Sequence, residues 1–287
     1  MTKEGINGEQ REWHQEIRAW IEEYMDMYQK KPGISSWWGR PLVGFADAFH
    51  PYIQKLKQLI SSGHQLPCEI IPDARSVIVY FVPFTKELAD TNMALKEAGQ
   101  EEGIPALASS QWALAYEQTN AMFEGINGYI IQRLKDIGFQ GAVSPEAGTF
   151  DQNALISNWS QRHFAYAAGL GTFGINHMLI SEAGCCGRYS SVVTNLPLKA
   201  DEPVTEERCL YKRNGNCGVC VSHCVSGALT VNGYDRKVCY GVLKRNAAVY
   251  TEFGSSYTDA SGENPNSEGS EVCGKCVVGL PCSFKVP

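Results

Sequence analysis

Eight of the eleven cysteines lie between Cys209 and Cys282, and thiols at that density read first as metal ligands. They run Cys209-x7-Cys217-x2-Cys220-x3-Cys224, then Cys239, then Cys273-x2-Cys276-x5-Cys282. C-x2-C-x3-C is the downstream part of the bacterial run in which close cysteines grip one 4Fe–4S cluster and the last of the run reaches across to another. Two runs imply two clusters. The crossing rule assigns Cys209, Cys217, Cys220 and Cys282 to the first, and Cys224, Cys239, Cys273 and Cys276 to the second. Cys209, Cys239 and Cys282 have the least support from spacing: seven residues follow Cys209, 33 separate Cys239 from Cys273, and Val225 stands where a proline is usual.

Two other uses of cysteine compete. A disulfide framework needs an oxidising compartment, and the opening MTKEGINGEQ lacks the charged-then-apolar pattern of a secretory signal. Paired C-x2-C also opens zinc ribbons, but those pair it with another C-x2-C, whereas interlocked x2 and x3 spacing belongs to ferredoxins. A ferredoxin-like, two-cluster segment is therefore expected over 201–287. Composition fits a chain with a substantial core: 44% of its 287 residues are hydrophobic and 20% charged. No apolar run nears the ~20 residues of a bilayer span, so a cytoplasmic protein with no membrane partner is expected. Net charge is −6 and the basic pairs Lys30-Lys31 and Lys212-Arg213 are far apart, so nucleic acid, tRNA included, is not an expected partner.

These ligands must be positioned by an α+β scaffold. Trp13, Ile17, Trp20, Ile21, Tyr24 and Tyr28 recur at helical spacing over 9–30, opposite a glutamate-rich face. SSWWGRPLVGFADAF reads as a loop packed over a core edge, and 47–60 as a second helix stopped by Gly63. SVIVYFVPF (76–84) is the best candidate for a central strand buried on both faces. A weak helix over 86–101 breaks at Gly103-Ile104-Pro105. The longest helix is expected over 109–136, with Gly125 and Gly128 marking either a bend or a close approach. A short strand at 139–145 leads into a polar loop, 146–158, carrying Glu146 and Asp151. Ser160 is placed to cap the helix QRHFAYAAG. Strands at 178–181 and 189–196, helices near 218–227 and 236–250, and a mobile polar loop over 253–271 complete the expectation, with domain boundaries near 35 and 200.

Gly169-Leu170-Gly171-Thr172-Phe173-Gly174 matches the dinucleotide fingerprint literally, but a helix precedes it and a strand follows within a few residues, the reverse of what that site needs. The same block, from Arg162 through Gly174-Ile175-Asn176, MLIS and RYSSVVTNLPL to the cysteines, resembles the core of the epoxyqueuosine reductases and related reductive dehalogenases. It is most similar to a shorter double-cluster branch, which PLVGFADAF (41–49) and CGKCVVGLPC (273–282) also resemble.

The resemblance covers roughly 36–287 and implies a nitroreductase-like α/β core over 36–200 that binds a corrinoid (cobalamin), with the clusters feeding it electrons. Gly169, Gly171, Gly174 and Asn176 would then face the cofactor. It also implies a low-potential electron donor of ferredoxin or flavodoxin type and a small-molecule or corrinoid substrate. Leu155 stands at the aspartate taken as proton donor in the family, Gln161 at a usual glutamate and Ile175 at a lysine, which puts reduction of the tRNA nucleoside in doubt. Asp151 and Tyr166 are the substitute donors expected, with His163 and Glu146 behind them. Adjacent Cys185-Cys186 reads as a small buried hydrophobic pair. Beside a cluster-dependent reductase stand two alternatives: a ferredoxin-like protein that reduces a partner or its corrinoid, and an iron–sulfur sensor or scaffold.

Overall fold

The computed structural model describes residues 3–98 and 107–287, so the break expected at Gly103-Ile104-Pro105 lies outside the described residues. In chain order the elements are α1 (Lys3–Gln29), β1 (Leu42–Asp47), β2 (Ser76–Pro83), α2 (Lys86–Ala98), α3 (Ser110–Asp136), β3 (Gly141–Ala142), α4 (Gln161–Ala167), β4 (Thr172–Phe173), β5 (Leu179–Ile180) and β6 (Gly187–Thr194). The cysteine segment adds α5 (Leu210–Asn214), α6 (Val219–Ser222), β7 (Leu229–Thr230), β8 (Gly233–Tyr234) and α7 (Arg236–Val249).

The main sheet has the order β1-β2-β6-β3, every neighbour antiparallel. All eight residues of β2 are buried, because both faces of the sheet are covered. Strand alternation divides them: Ile78, Tyr80 and Val82 join the core under α1 and α3, while Val77, Val79 and Phe81 join the one under α4. The first of these cores continues without a gap into Cys209, Cys220, Leu229, Val278 and Leu280. The cysteine segment thus shares its apolar interior with the sheet.

Helix α1 buries Ile17, Trp20, Ile21, Met25 and Tyr28 along α3, which starts where Ser109 Oγ accepts the Trp112 N–H at 3.1 Å. Of the two α3 glycines, Gly125 is the close approach: a Cβ there would fall 1.8 Å from the Tyr24 hydroxyl, whereas one at Gly128 would meet nothing.

Four local expectations are corrected. Residues 42–47 form an edge strand and not a loop; Gly44 permits it, since a Cβ would sit 2.3 Å from the Ala168 carbonyl oxygen. The helix expected over 47–60 is two single turns, Pro51–Gln54 and Leu56–Leu59. Ser160 begins α4, but its hydroxyl pairs with His163 Nδ1 at 2.6 Å and caps no backbone N–H. The 253–271 loop, whose composition suggested mobility, is tied down: Thr258 bridges Thr149, Phe150 N donates to Thr258 O at 3.0 Å, and Gln152 Nε2 donates to Asn266 O at 2.6 Å. Among the described residues no helix is long and apolar enough to cross a membrane.

Candidate iron–sulfur and reduction site

All eleven cysteines are free thiols, so no disulfide framework forms. Cys209, Cys217, Cys220 and Cys282 line one cavity. Cys209 stands just before α5, Cys220 on α6, and Cys282 arrives from the end of the chain behind Leu280-Pro281. The rest of the wall is mostly apolar, with Ile175, Ile180, Leu210 and Val219, and it includes Gly174 and Asn176. Charge on Cys209, Cys217 or Cys282 would push the Cys220 thiol up, after burial, to about 11. The four are thus electrostatic neighbours with no cation among the causes of that shift.

Cys224, Cys239, Cys273 and Cys276 form the second group. Burial and then the neighbouring thiols Cys273, Cys239, Cys224 and Cys220 push Cys276 up, and burial raises Cys273 to about 11. Because Cys220 also acts on Cys276, the two groups adjoin. Cys224 is opposed by burial but lowered on balance by hydrogen bonds, among them the Leu229 N–H at 3.3 Å and Ser226 Oγ at 3.5 Å. Lys275, buried between Cys273 and Cys276, donates to Asn92 O at 2.5 Å, and Asn92 Nδ2 donates to Cys273 O at 2.9 Å.

Among the described residues no three His, Cys, Asp or Glu side chains are spaced for a single metal ion. A zinc ion takes its thiolates at ~2.3 Å, whereas a cube of four irons and four sulfides needs a wider cage. Thiols held up by burial ionise only beside positive charge, which a cluster core supplies. The donor set and the apolar cavity therefore fit polynuclear iron–sulfur clusters.

Asn176 lies between the groups. Its Nδ2 donates to Cys276 O at 2.9 Å and reaches Cys185 Sγ at 3.9 Å, and its Oδ1 accepts the Met178 N–H at 3.2 Å. Gly169 and Gly171 face protein backbone: a Cβ on either would lie 2.4 Å from Glu202 O or 2.1 Å from Ile180 O. The glycine block lets α4 and the β4–β5 hairpin pack closely, which sequence could not separate from room for a cofactor.

An open groove of about 640 Å³ runs between Asn153-Ala154-Leu155 and the segment that joins Cys224 to Cys239, walled there by Gly227, Ala228, Tyr234, Arg236 and Lys237. Leu155 is held at φ +56°, a left-handed conformation costly for a branched side chain, and its carbonyl accepts from Arg236 Nη1 at 3.3 Å. Asp151, expected as a proton donor, instead shapes this turn: its Oδ1 accepts the N–H groups of Asn153 at 2.8 Å and Ala154 at 2.9 Å. Tyr166 packs against Tyr52 at 4.8 Å and Phe173 at 6.0 Å between ring centroids, in the core under α4. His163 shares that region, 5.1 Å from Phe173, and Glu146 Oε2 accepts from Thr149 Oγ1 at 2.8 Å.

Residues that sequence reasoning passed over stand nearer the second cysteine group. Arg162, on α4, lies within electrostatic range of Tyr234, Tyr257, Arg236 and Cys276. Tyr257, from the 253–271 loop, accepts a hydrogen bond from Arg188 Nη2 at 2.7 Å, and the Arg188 guanidinium lies 3.6 Å above the Tyr116 ring.

No family model matches the chain. It is 26% identical over 207 residues to the epoxyqueuosine reductase of Staphylococcus aureus (strain NCTC 8325 / PS 47), a match covering 67% of this chain and 49% of that protein, so the chain spans about half the length of this curated relative. A crystal structure of selenomethionine-labelled epoxyqueuosine reductase superposes on 96% of this chain and 68% of its own, with TM-score 0.52 at 17% identity. An epoxyqueuosine reductase structure from Bacillus subtilis superposes on 93% of this chain and 66% of its own, with TM-score 0.50 at 15% identity. At these identities the structures speak for fold alone. The resemblance carried by the glycine block and the cysteines thus meets a separate match: the chain is similar to the epoxyqueuosine reductases in sequence over 67% of its length and in fold over 96% of it.

Proposed function

We propose that this chain is an iron–sulfur reductase of the epoxyqueuosine reductase-like class, with one 4Fe–4S cluster in each cysteine group and electrons delivered to a substrate or corrinoid held at the groove beside Leu155. The carrying observation is that Cys220 of the first group lies within electrostatic range of Cys276 of the second, while the groove is walled by residues of 227–237, the segment between Cys224 and Cys239. When bound, the clusters supply single electrons at low potential and a corrinoid would supply a nucleophilic metal. The chain's own residues do the rest. Apolar walls at Ile175, Ile180, Leu210 and Val219 keep water from the first group, which strengthens every hydrogen bond to sulfur there. Arg236 and Lys237, which wall the groove, orient a polar substrate there. Tyr257, its hydroxyl held by Arg188 Nη2 at 2.7 Å and its charge felt by Arg162, is a proton-donor candidate beside Asp151 and Tyr166. The corrinoid, the nitroreductase-like character of the core and the ferredoxin-like character of 201–287 rest on the family resemblance.

The test is anaerobic reconstitution with iron, sulfide and zinc analysis, then titration with hydroxocobalamin followed by absorbance and EPR. About eight irons and eight sulfides per chain are expected, with stoichiometric corrinoid binding. Iron without corrinoid binding turns the reading to an electron-transfer protein, and zinc in place of iron overturns both. Epoxyqueuosine is in the name of the curated relative, so an epoxyqueuosine-bearing tRNA stem loop is one substrate to assay, despite the acidic charge balance that argued against it.

A further inference from the structure

The mechanism leaves one buried thiol unused. Cys185, wholly inaccessible, lies in the short turn between β5 and β6 and is not one of the eight cysteines of the two groups. Its Sγ is 3.9 Å from Cys282 Sγ, in the first group. That closeness is built in by the backbone: Cys185 N donates to Cys282 O at 2.9 Å, and Cys186 N to Ser283 O at 3.0 Å. Gly184, at φ +81°, lets the two segments come together, since a Cβ there would fall 2.2 Å from Ser283 O. On its other side Cys185 Sγ is approached by Asn176 Nδ2 at 3.9 Å.

The direction of the contact follows from the donors. The Asn176 amide nitrogen can only donate, so it occupies a lone pair of Cys185 Sγ. A Cys282 sulfur bound to iron carries no proton and can only accept. The remaining proton is that of Cys185, and it points at Cys282.

We infer that Cys185 is a ninth functional cysteine, a hydrogen-bond donor to the Cys282 ligand sulfur that, oriented by Asn176, raises the reduction potential of the cluster in the first group. This rests on the cluster reading above. A hydrogen bond to a ligand sulfur favours the reduced state, because reduction adds negative charge to the cluster and its sulfurs. In a dry site the effect is not diluted by water. The same thiol is no substitute ligand, since Cys282 stands between it and the cavity that Cys209, Cys217 and Cys220 line.

The test is an EPR-monitored redox titration of the reconstituted full chain as wild type, Cys185→Ala and Cys185→Ser, with iron counted in each. Cys185→Ala is expected to keep about eight irons and to make the first cluster roughly tenfold harder to reduce, a downward shift of ~59 mV for one electron. The second cluster serves as internal reference and does not move. Cys185→Ser, which keeps an O–H donor, returns most of the shift. Equal potentials in wild type and Cys185→Ala at full iron overturn the inference. So does loss of half the iron in both variants, which would make the thiol a ligand or a structural necessity. Absence of iron from the wild type would instead defeat the cluster reading itself.

Discussion

Gly171→Ala separates two meanings of the glycine block. A Cβ at 171 would lie 2.1 Å from Ile180 O and 2.7 Å from the Ile180 carbonyl carbon, against an ordinary contact of at least 3.4 Å. The obstacle is backbone, so no side-chain rotation relieves it, and β4 and β5 must part where Thr172 pairs with Ile180. Overpacking of this kind costs about 1–3 kcal/mol, and distortion of the two-residue ladder puts the cost at the upper end. For a chain of 287 residues, ~3 kcal/mol corresponds to a Tm lowered by about 5 °C, taking about 2 cal/mol/K of unfolding entropy per residue. The assay is thermal unfolding by circular dichroism beside hydroxocobalamin titration, with Gly148→Ala, whose Cβ meets nothing, as control. The expected result is a lowered Tm for Gly171→Ala alone, with any corrinoid binding weakened only in step with folding. An unchanged Tm with corrinoid binding abolished would refute the packing argument and return Gly171 to a cofactor wall.

Other outcomes follow from named contacts. Gly125→Ala should destabilise by about 1–3 kcal/mol, since the Tyr24 ring must swing away, whereas Gly128→Ala, exposed in the same helix, should stabilise by about 0.5–1 kcal/mol; urea midpoints that move together would contradict this. Burial, and then the charge of Arg162, holds His163 down at about 4, below its usual 6.5. The unfolded chain therefore binds the extra proton first, and stability falls as pH drops from about 6.5 towards 4, by up to roughly 3 kcal/mol. His163→Gln should flatten the Tm profile in that window, and an unchanged slope would show that other groups set it. Tyr257→Phe should lower turnover of a reducible substrate by about 10²-fold or more while iron content and potentials stay at wild-type values; undiminished turnover would remove Tyr257 as proton donor.

What the sequence made legible were the features that local pattern alone determines. The uninterrupted apolar run of β2 announces a strand covered on both faces, and the apolar stripes of α1 and the long α3 announce their packing. Cysteine spacing groups eight thiols as two fours, and the first four, Cys209, Cys217, Cys220 and Cys282, line one cavity. What stayed hidden depends on distant partners. Pro41, Gly44 and Asp47 look like loop residues, and β1 is a strand because Ala168 O lies where a Cβ at 44 would stand. Asp151 looked like an acid in a site loop, but two backbone N–H groups of its own turn occupy it. Tyr257 sat in a stretch of Ser, Gly and Asn that composition marks as mobile, and its order comes from Arg188, 69 positions earlier, and from the bridge of Thr258 to Thr149. No window on the sequence holds both ends of such contacts.

The return of the last cysteines sets an order on biosynthesis. The first group is incomplete without Cys282 and the second without Cys273 and Cys276, so neither cage exists while the ribosome still holds those residues. The sheet and its helices, encoded before residue 200, can collapse earlier and wait with an open flank. On the proposed reading, cluster loading waits until residues 273–282 have been made and can fold back. A frameshift or nick ahead of residue 273 yields a product with no complete cage. Such a chain would leave the apolar surface around Val278 and Leu280 unmade and the facing core uncovered.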